Sequence, residues 1–210
     1  MADLNVSIEG IADGQRIAEE FVFGIRTDDE PFTFGANISP AISWSGAPDG
    51  TKSYAIIMHD RSVPTVFDDA NQEGKTIPAD LVRMDFMHWV LVDIPATTTG
   101  LAKGVESDSV VPKGKPTGAT SNGVRGANDF GMFMAANPDM AGDYGGYDGP
   151  APPWNDELMH EYVFTVYALD VESLGLDGVF SGADALAAME RHILASGQVV
   201  GEYTLNPALG

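Results

Sequence analysis

The sequence predicts a mainly β protein, an antiparallel β-sandwich with one peripheral C-terminal helix and long loops, and three observations carry that prediction. Short apolar runs with a period of two outnumber helical patterns. The connections between them are long, irregular and rich in Gly and Pro. The helices that a doubly wound α/β fold needs between successive strands are missing. The chain has 210 residues, 44% of them hydrophobic, which suits a single domain over residues 1–210 with a sizeable core. No internal repeat and no domain boundary interrupts it.

In chain order, the alternation LNVSI at residues 4–8 predicts a short strand, and residues 21–25 predict another extended piece. AISWS and SYAIIMH follow as two strands separated by the turn GAPDG. The second of these is apolar on both faces, is expected to be internal, and is expected to end at Asp60. Residues 65–78 read as a long surface loop, and residues 79–86 as a helical turn before the strand HWVLVDIP, which Pro95 ends. Residues 96–131 are rich in Gly, Thr, Ser and Asn, so they are expected to wrap the sheet or frame a site. In MFMAANPDMAGDYGG, the residues Met132, Phe133, Met134 and Met140 are candidates to cover a pocket, and equally gap fillers.

The run HEYVFTVYALD at residues 160–170 is the central strand. Tyr162, Phe164, Val166 and Ala168 point one way, Val163, Thr165, Tyr167 and Leu169 the other, and both sets are almost wholly apolar. Such a strand belongs inside a sheet. His160 and Tyr162 are two apart and leave the same face at the strand's mouth. Just upstream, the prolines and glycines of YDGPAPPWNDELM fix a stiff loop over that mouth. After the strand, SGADALAAMERHILASG predicts a helix with a Ser181–Asp184 capping box, an apolar face of Leu186, Met189, Ile193 and Leu194, and a stop at Gly197. QVVGEYTLN closes the chain as a last strand.

Composition excludes several function classes. Eleven Lys and Arg against 31 Asp and Glu give a net charge of −20, which repels nucleic acid and anionic membrane surfaces. Any anion must therefore bind in a local, shielded pocket. The acidity itself reads as a solvated surface, of the kind that suits a salty habitat. There is no cysteine, so disulfides, thiolate nucleophiles and sulfur-ligated metals are excluded. The acidic N-terminus lacks the pattern of a signal peptide, and no apolar stretch approaches the ~20 residues of a membrane span. These features predict a cytoplasmic protein without integral membrane association.

At SPAISWSGAPDGTKSYAIIMHDRSVP, then HWVLVDIP, then GPAPPWNDELMHEYVFTVYALD, order and spacing resemble the phosphatidylethanolamine-binding protein family, in particular its bacterial, Raf-kinase-inhibitor-like branch. The resemblance covers about residues 38–203. It implies a Greek-key antiparallel sandwich with a small pocket at one end for phosphate-like head groups. It carries Asp60 over as the first acid of an Asp-Pro-Asp-x-Pro strand end, His88 as the start of the HW pair, Gly149 and Pro150 as the loop bordering the pocket, and His160 and Tyr162 as the His-x-Tyr pair. It also makes Val63–Pro64 the candidate for a cis bond. The chain departs from the pattern at Asp60-Arg61-Ser62-Val63-Pro64, where Arg61 and Ser62 replace a proline and the second carboxylate. Arg61 either faces inward and strengthens anion binding, or turns outward and pairs with a surface acid. The insertion between residues 128–131 and Gly149-Pro150 also looks longer than usual.

A phosphate is best held by donors fixed before it arrives. His88, His160, Tyr162 and the Gly149 loop can supply them, while Asp60 orients a histidine and raises its pKa. Binding is then expected to weaken above roughly pH 7. The favoured reading is a regulatory binding protein for a small phosphorylated or carboxylated molecule, with no cofactor. The alternative is a hydrolase or other acid/base enzyme using Asp60, His88 and His160; no G-x-S-x-G and no cysteine supports covalent catalysis. A metal site from two His and one Asp lacks an H-E-x-x-H arrangement and is the weakest alternative. His59 and His192 read as structural and solvent-facing, and the three tryptophans as packing, with Trp154 able to rim the mouth. A homodimer is compatible with the resemblance, since members of that branch often pair. Inhibition of a kinase would rest on analogy alone.

Overall fold

A computed structural model describes residues 2–210. In order, the elements are β1 (Ala2–Asp3), β2 (Asn5–Ile8), β3 (Gln15–Arg16), a 3-10 turn at Glu19–Phe21, β4 (Gly24–Ile25), β5 (Thr33–Phe34), β6 (Ile42–Ser45), β7 (Ser53–Pro64), β8 (Arg83–Pro95), β9 (Gly100–Leu101), β10 (Gly118–Ala119), β11 (Val124–Arg125), α1 (Phe130–Phe133), β12 (His160–Leu169), α2 (Gly182–Met189) and β13 (Ile193–Tyr203). The protein is mainly β with two short helices. The largest sheet has eight strands in the order β1-β13-β12-β7-β8-β11-β10, with β3 also on β13. The doubly apolar strand β12 therefore lies inside the sheet, as its pattern requires. A wholly antiparallel architecture does not hold at one edge: β1 and β3 run parallel to β13, because the N-terminal segment returns along that strand instead of forming a hairpin with it.

The antiparallel sheet β2-β6-β9 supplies Ile8, Ile42, Trp44 and Leu101 to the main core, where they meet Ile56 and Met58 of β7, Trp89 and Leu91 of β8, and Phe164 and Val166 of β12. On the opposite face, Ala55, Ile57, Val90 and Val92 are covered by Phe180 and by Ala185 and Met189 of α2. Buried large side chains of this kind contribute roughly 1.5–3 kcal/mol each. Both faces of the central strands are thus used.

Four expectations are corrected. The predicted helix stops at Met189, and residues from Ile193 onward form β13. Gly197 does not cap a helix but pairs with Val166 inside the sheet, and a Cβ there would lie 2.2 Å from the Leu4 carbonyl oxygen. The capping box at Ser181 and Asp184 is present. Second, β7 continues past Asp60 to Pro64, and its Val63 and Pro64 pair with Met84 and Arg83. Third, among the described residues no peptide bond is cis, because Val63–Pro64 continues an extended ladder. Fourth, the anticipated turn before HWVLVDIP is short, and β8 already begins at Arg83.

The strand irregularities position the site. Met58 pairs with Trp89 but His59 pairs with Met87, so β8 carries one extra residue, His88. Trp89 and Leu91 face the main core, while Met87, Val90 and Val92 face the helix side. Strict alternation would put His88 with Val90. The bulge turns it the other way. A second bulge on β7, between Asp60 and Val63, leaves the Ser62 N–H free to donate to Asp60 Oδ1 at 2.8 Å.

Candidate functional site

The cross-strand pairing of Tyr162 with Asp60 and the bulge at His88 gather three strands' side chains at one end of the main core. Asp60, His88, His160 and Tyr162 form the polar floor of a cleft enclosing about 420 Å³, mouth included. Val63, Phe67, Phe86, Phe130 and Phe133 make apolar walls, and Ala151, Pro152 and Pro153 form one lip. The His88 ring stands edge-on to Tyr162 at 5.2 Å, and His160 stacks beside Tyr162 at 6.5 Å.

Each polar group has a defined state. His160 lies between two carboxylates: Nδ1 donates to Asp60 Oδ2 at 2.6 Å and Nε2 to Asp156 Oδ2 at 3.1 Å. Burial acts to lower its pKa, but the charges of and hydrogen bonds to Asp60 and Asp156 outweigh it and raise the value to about 9. His160 is therefore an imidazolium with both N–H groups committed. Asp156 in turn accepts two hydrogen bonds from the Arg83 guanidinium, at 2.6 and 3.0 Å. Burial alone would raise its pKa; its hydrogen bonds from His160 and Arg83 hold it below the usual carboxylate range. The four side chains alternate in charge from Asp60 to Arg83 and sum to zero.

His88 is the opposite case. Its Nδ1 meets the Asp148 carbonyl at 2.7 Å, so that nitrogen carries the proton and Nε2 is left as a lone-pair acceptor. Burial drives its pKa down to about 4, against the upward pull of the Asp60 charge and the Asp148 and Gly149 carbonyls. The Tyr162 hydroxyl is buried beside the Asp60 carboxylate, without a well-aligned hydrogen bond. Burial first, then the nearby Asp60 carboxylate, hold its proton on well above the ordinary phenol range.

The structure brings together Asp60, His88, His160 and Tyr162 but not Gly149 and Pro150. Both are buried behind the cleft. The Gly149 N–H donates to Asn37 Oδ1 at 2.8 Å, and the Pro150 carbonyl accepts from the N–H groups of Phe23 and Gly24. A Cβ on Gly149 would lie 2.0 Å from the Phe21 carbonyl oxygen, which explains a glycine there as a close backbone approach. The loop is anchored from behind by Asp148, whose carboxylate takes Lys115 Nζ at 2.7 Å together with the amides of Asn37 and Asn128. Neither Gly149 nor His160 has a donor to spare for a ligand.

Arg61 turns outward and pairs with Glu161 at 2.8 Å. The expected pH dependence also moves, since the two histidines titrate near 4 and 9 and not near 7. Sequence reasoning missed Asp156 and Arg83. The signal for Asp156 is its position four residues before His160, the one acid in a proline-stiffened loop that can reach back to the strand mouth; Arg83 carries none, because residues 65–82 separate it from its partners' strand end. His59 sits on the other face, 3.9 Å from Asp85, and half-exposed His192 pairs with Asp170. Trp154 lies in a second, apolar hollow that shares Asn71, Phe130, Phe133 and Ala151 with the cleft and adds Phe32, Phe34 and Met134. Among the described residues no group of three His, Asp or Glu side chains is placed to hold a metal ion, and no helix is long and apolar enough to cross a membrane.

A family model described as phosphatidylethanolamine-binding protein matches residues 7–204. The chain is 32% identical over 207 residues to a UPF0098 protein of Aquifex aeolicus, covering 97% of this chain and 98% of the other. It is 31% identical to the UPF0098 protein YbhB of Escherichia coli, over 92% of this chain and 96% of that one. Among solved structures it resembles Escherichia coli YbcL, described as a new member of the mammalian PEBP family, with a TM-score of 0.68 at 28% identity and coverage of 97% and 99%.

Proposed function

This chain belongs to the phosphatidylethanolamine-binding protein family, and from that premise we propose that it is a small-molecule anion-binding protein whose cleft takes a phosphate or phospholipid-head-group type of ligand in a regulatory role. The observation that carries this is the Tyr162 hydroxyl. A buried donor left without a well-formed partner costs roughly 1–3 kcal/mol, and the tyrosine that carries this one lines the cleft together with Asp60, His88 and His160. A ligand oxygen would satisfy it. The imidazolium of His160 supplies a positive charge beneath the floor, fixed between two acids, so the cleft is less negative than the surface around it.

Binding is favoured over catalysis by the same geometry. No Ser or Thr hydroxyl lines the cleft, and both nitrogens of His160 are engaged, which leaves no nucleophile–base pair. Titration calorimetry with inorganic phosphate and with phosphoethanolamine at pH 6 tests the proposal. The wild type is expected to bind, and Tyr162→Phe to bind about 10–100-fold more weakly, since a hydrogen bond to a charged group contributes about 1.5–3 kcal/mol. Absence of any heat with the wild type would overturn it.

A further inference from the structure

We propose that the apolar hollow beside the cleft is a second binding site, one that takes a small aryl- or alkylammonium compound and not an anion. The site does not depend on the anion-binding reading of the cleft. It encloses about 710 Å³, mouth included, against 420 Å³ for the cleft. Phe23, Phe32, Phe34, Phe133, Met134 and Trp154 give it apolar walls, and among the described residues no Lys, Arg or His lines it. Phe32, Phe34 and Phe133 are 36, 50 and 47% exposed. Apolar side chains scattered singly over a surface need no explanation, but several that converge on one concavity with a polar rim mark a ligand groove.

The rings are set before any ligand arrives. Strands β4 and β5 pair as a two-stranded ribbon, and Phe32 lies across Gly24, where a Cβ would come within 2.4 Å of the ring. Phe23 and Phe32 both stand nearly perpendicular to Phe34, at 5.5 and 5.8 Å. On the mouth loop, the Trp154 backbone N–H donates to Asn71 Oδ1 at 3.0 Å. A corner of this kind offers ring faces, and a cation within about 6 Å of a ring centroid is attracted by the quadrupole. Charge then decides between an ammonium and other apolar compounds. The loops that carry the lining residues also carry exposed acids: Asp28, Asp29 and Glu30 just before Phe32, Asp68 before Asn71, and Asp139 between Asn137 and Met140. Among the described residues none of these is spent on a salt bridge. With a net charge of −20, the surrounding potential concentrates cations and repels anions. The same excess works against a second copy of this chain, or an anionic membrane, as the occupant.

The test is calorimetry at about pH 7 and about 0.01 M salt with 4-phenylbutylamine, 4-phenylbutanol and 4-phenylbutyrate, which share one apolar part and differ in charge. The amine is expected to bind about tenfold tighter than the alcohol, with the carboxylate weakest and the amine's lead narrowing in about 1 M KCl. Phe34→Leu, which keeps an apolar side chain and removes the ring, is expected to erase most of the amine's lead over the alcohol at an unchanged thermal midpoint, because Phe34 is half exposed. Trp44 and Trp89 are buried in the core, so a change in tryptophan emission on binding reports Trp154, and Trp154→Phe should remove it. An alcohol or carboxylate that binds as tightly as the amine, an amine indifferent to Phe34→Leu, or no heat with any of the three would overturn the inference and leave the reading of the cleft untouched. So would a wild-type dimer, seen by sedimentation, that Phe34→Ala dissociates, since a second copy would then fill the hollow.

Discussion

Two imidazoles, 5.2 and 6.5 Å from the ring of the same tyrosine, are held in opposite protonation states, and the cause is which atoms their nitrogens meet. His160 meets two carboxylates; His88 meets a carbonyl and a hydrophobic wall that includes Phe86 and Phe130. The difference sets a stability profile. His160 has its pKa raised from 6.5 to about 9, so its contribution is complete below pH 6.5 and is lost as pH rises through 9. His88 has its pKa lowered from 6.5 to about 4, so the unfolded chain binds the extra proton between those values and stability is lost as pH falls from 6.5 to 4. Each limb is worth about 3 kcal/mol at 1.36 kcal/mol per pKa unit. Denaturant unfolding across pH 4–9 should therefore show a maximum near 6.5, with His88→Gln flattening the acid limb and His160→Gln the alkaline one. A monotonic profile from 5 to 9 would contradict these assignments. Tyr162→Phe, which deletes an unsatisfied buried hydroxyl, should leave the thermal midpoint equal to or above that of the wild type even as ligand affinity falls; a markedly lower midpoint would mean the hydroxyl has a structural partner.

The strands explain how much of the site was legible in the sequence. His160 and Tyr162 share a face because they are two apart on an unbroken strand, and period-two reasoning finds that directly. Asp60 follows from Tyr54, Ile56 and Met58 in the same way. His88 does not: alternation from Val90 and Val92 assigns it to the wrong face, and only its placement by family resemblance set it beside the others. A bulge leaves no mark in the residue pattern. The misread helix has a similar origin, since ALAAMERHIL has helical spacing, whereas Ala195, Val199 and Tyr203 follow the strand period that wins once Gly197 must pass close to Leu4. Replacing Gly197 by Ala should destabilise the protein by about 1–3 kcal/mol, read as a lowered urea midpoint; an unchanged midpoint would show that β1 can move aside. A different clasp holds the loop at residues 65–78 that contributes Phe67 and Asn71 to the cleft. The Asn155 amide donates to the carbonyls of Asp69, Gln72 and Lys75, and its oxygen accepts from the Asn71 N–H. Asn155→Ala should speed proteolytic cutting within that loop, mapped by mass spectrometry, with little change in global unfolding.

Across the whole molecule the excess of 20 negative charges works against compactness. The cations that are buried are spent on interior acids: Arg83 with Asp156, Lys115 with Asp148 and Arg125 with Glu106. Few are left to balance the surface. Raising ionic strength from about 0.01 to 1 M shortens the screening length from about 30 to 3 Å, so the thermal midpoint should climb steadily with added KCl; a midpoint insensitive to salt would show that the surface acids are too dispersed to repel. The mainly β class was readable because it depends on sums over many residues. The parallel edge formed by β1 and β3 was not, because two-residue strands carry no periodicity of their own.

The extra residue at His88 gives the site an unusual genetic vulnerability. Which way that imidazole faces is set by the register of β8 against β7, where one extra residue stands between the pairs made by Met87 and Trp89, and a point replacement leaves that count intact. Deleting the neighbouring Met87 codon would remove the surplus residue and return β8 to strict alternation, and the ring could then no longer sit over Tyr162.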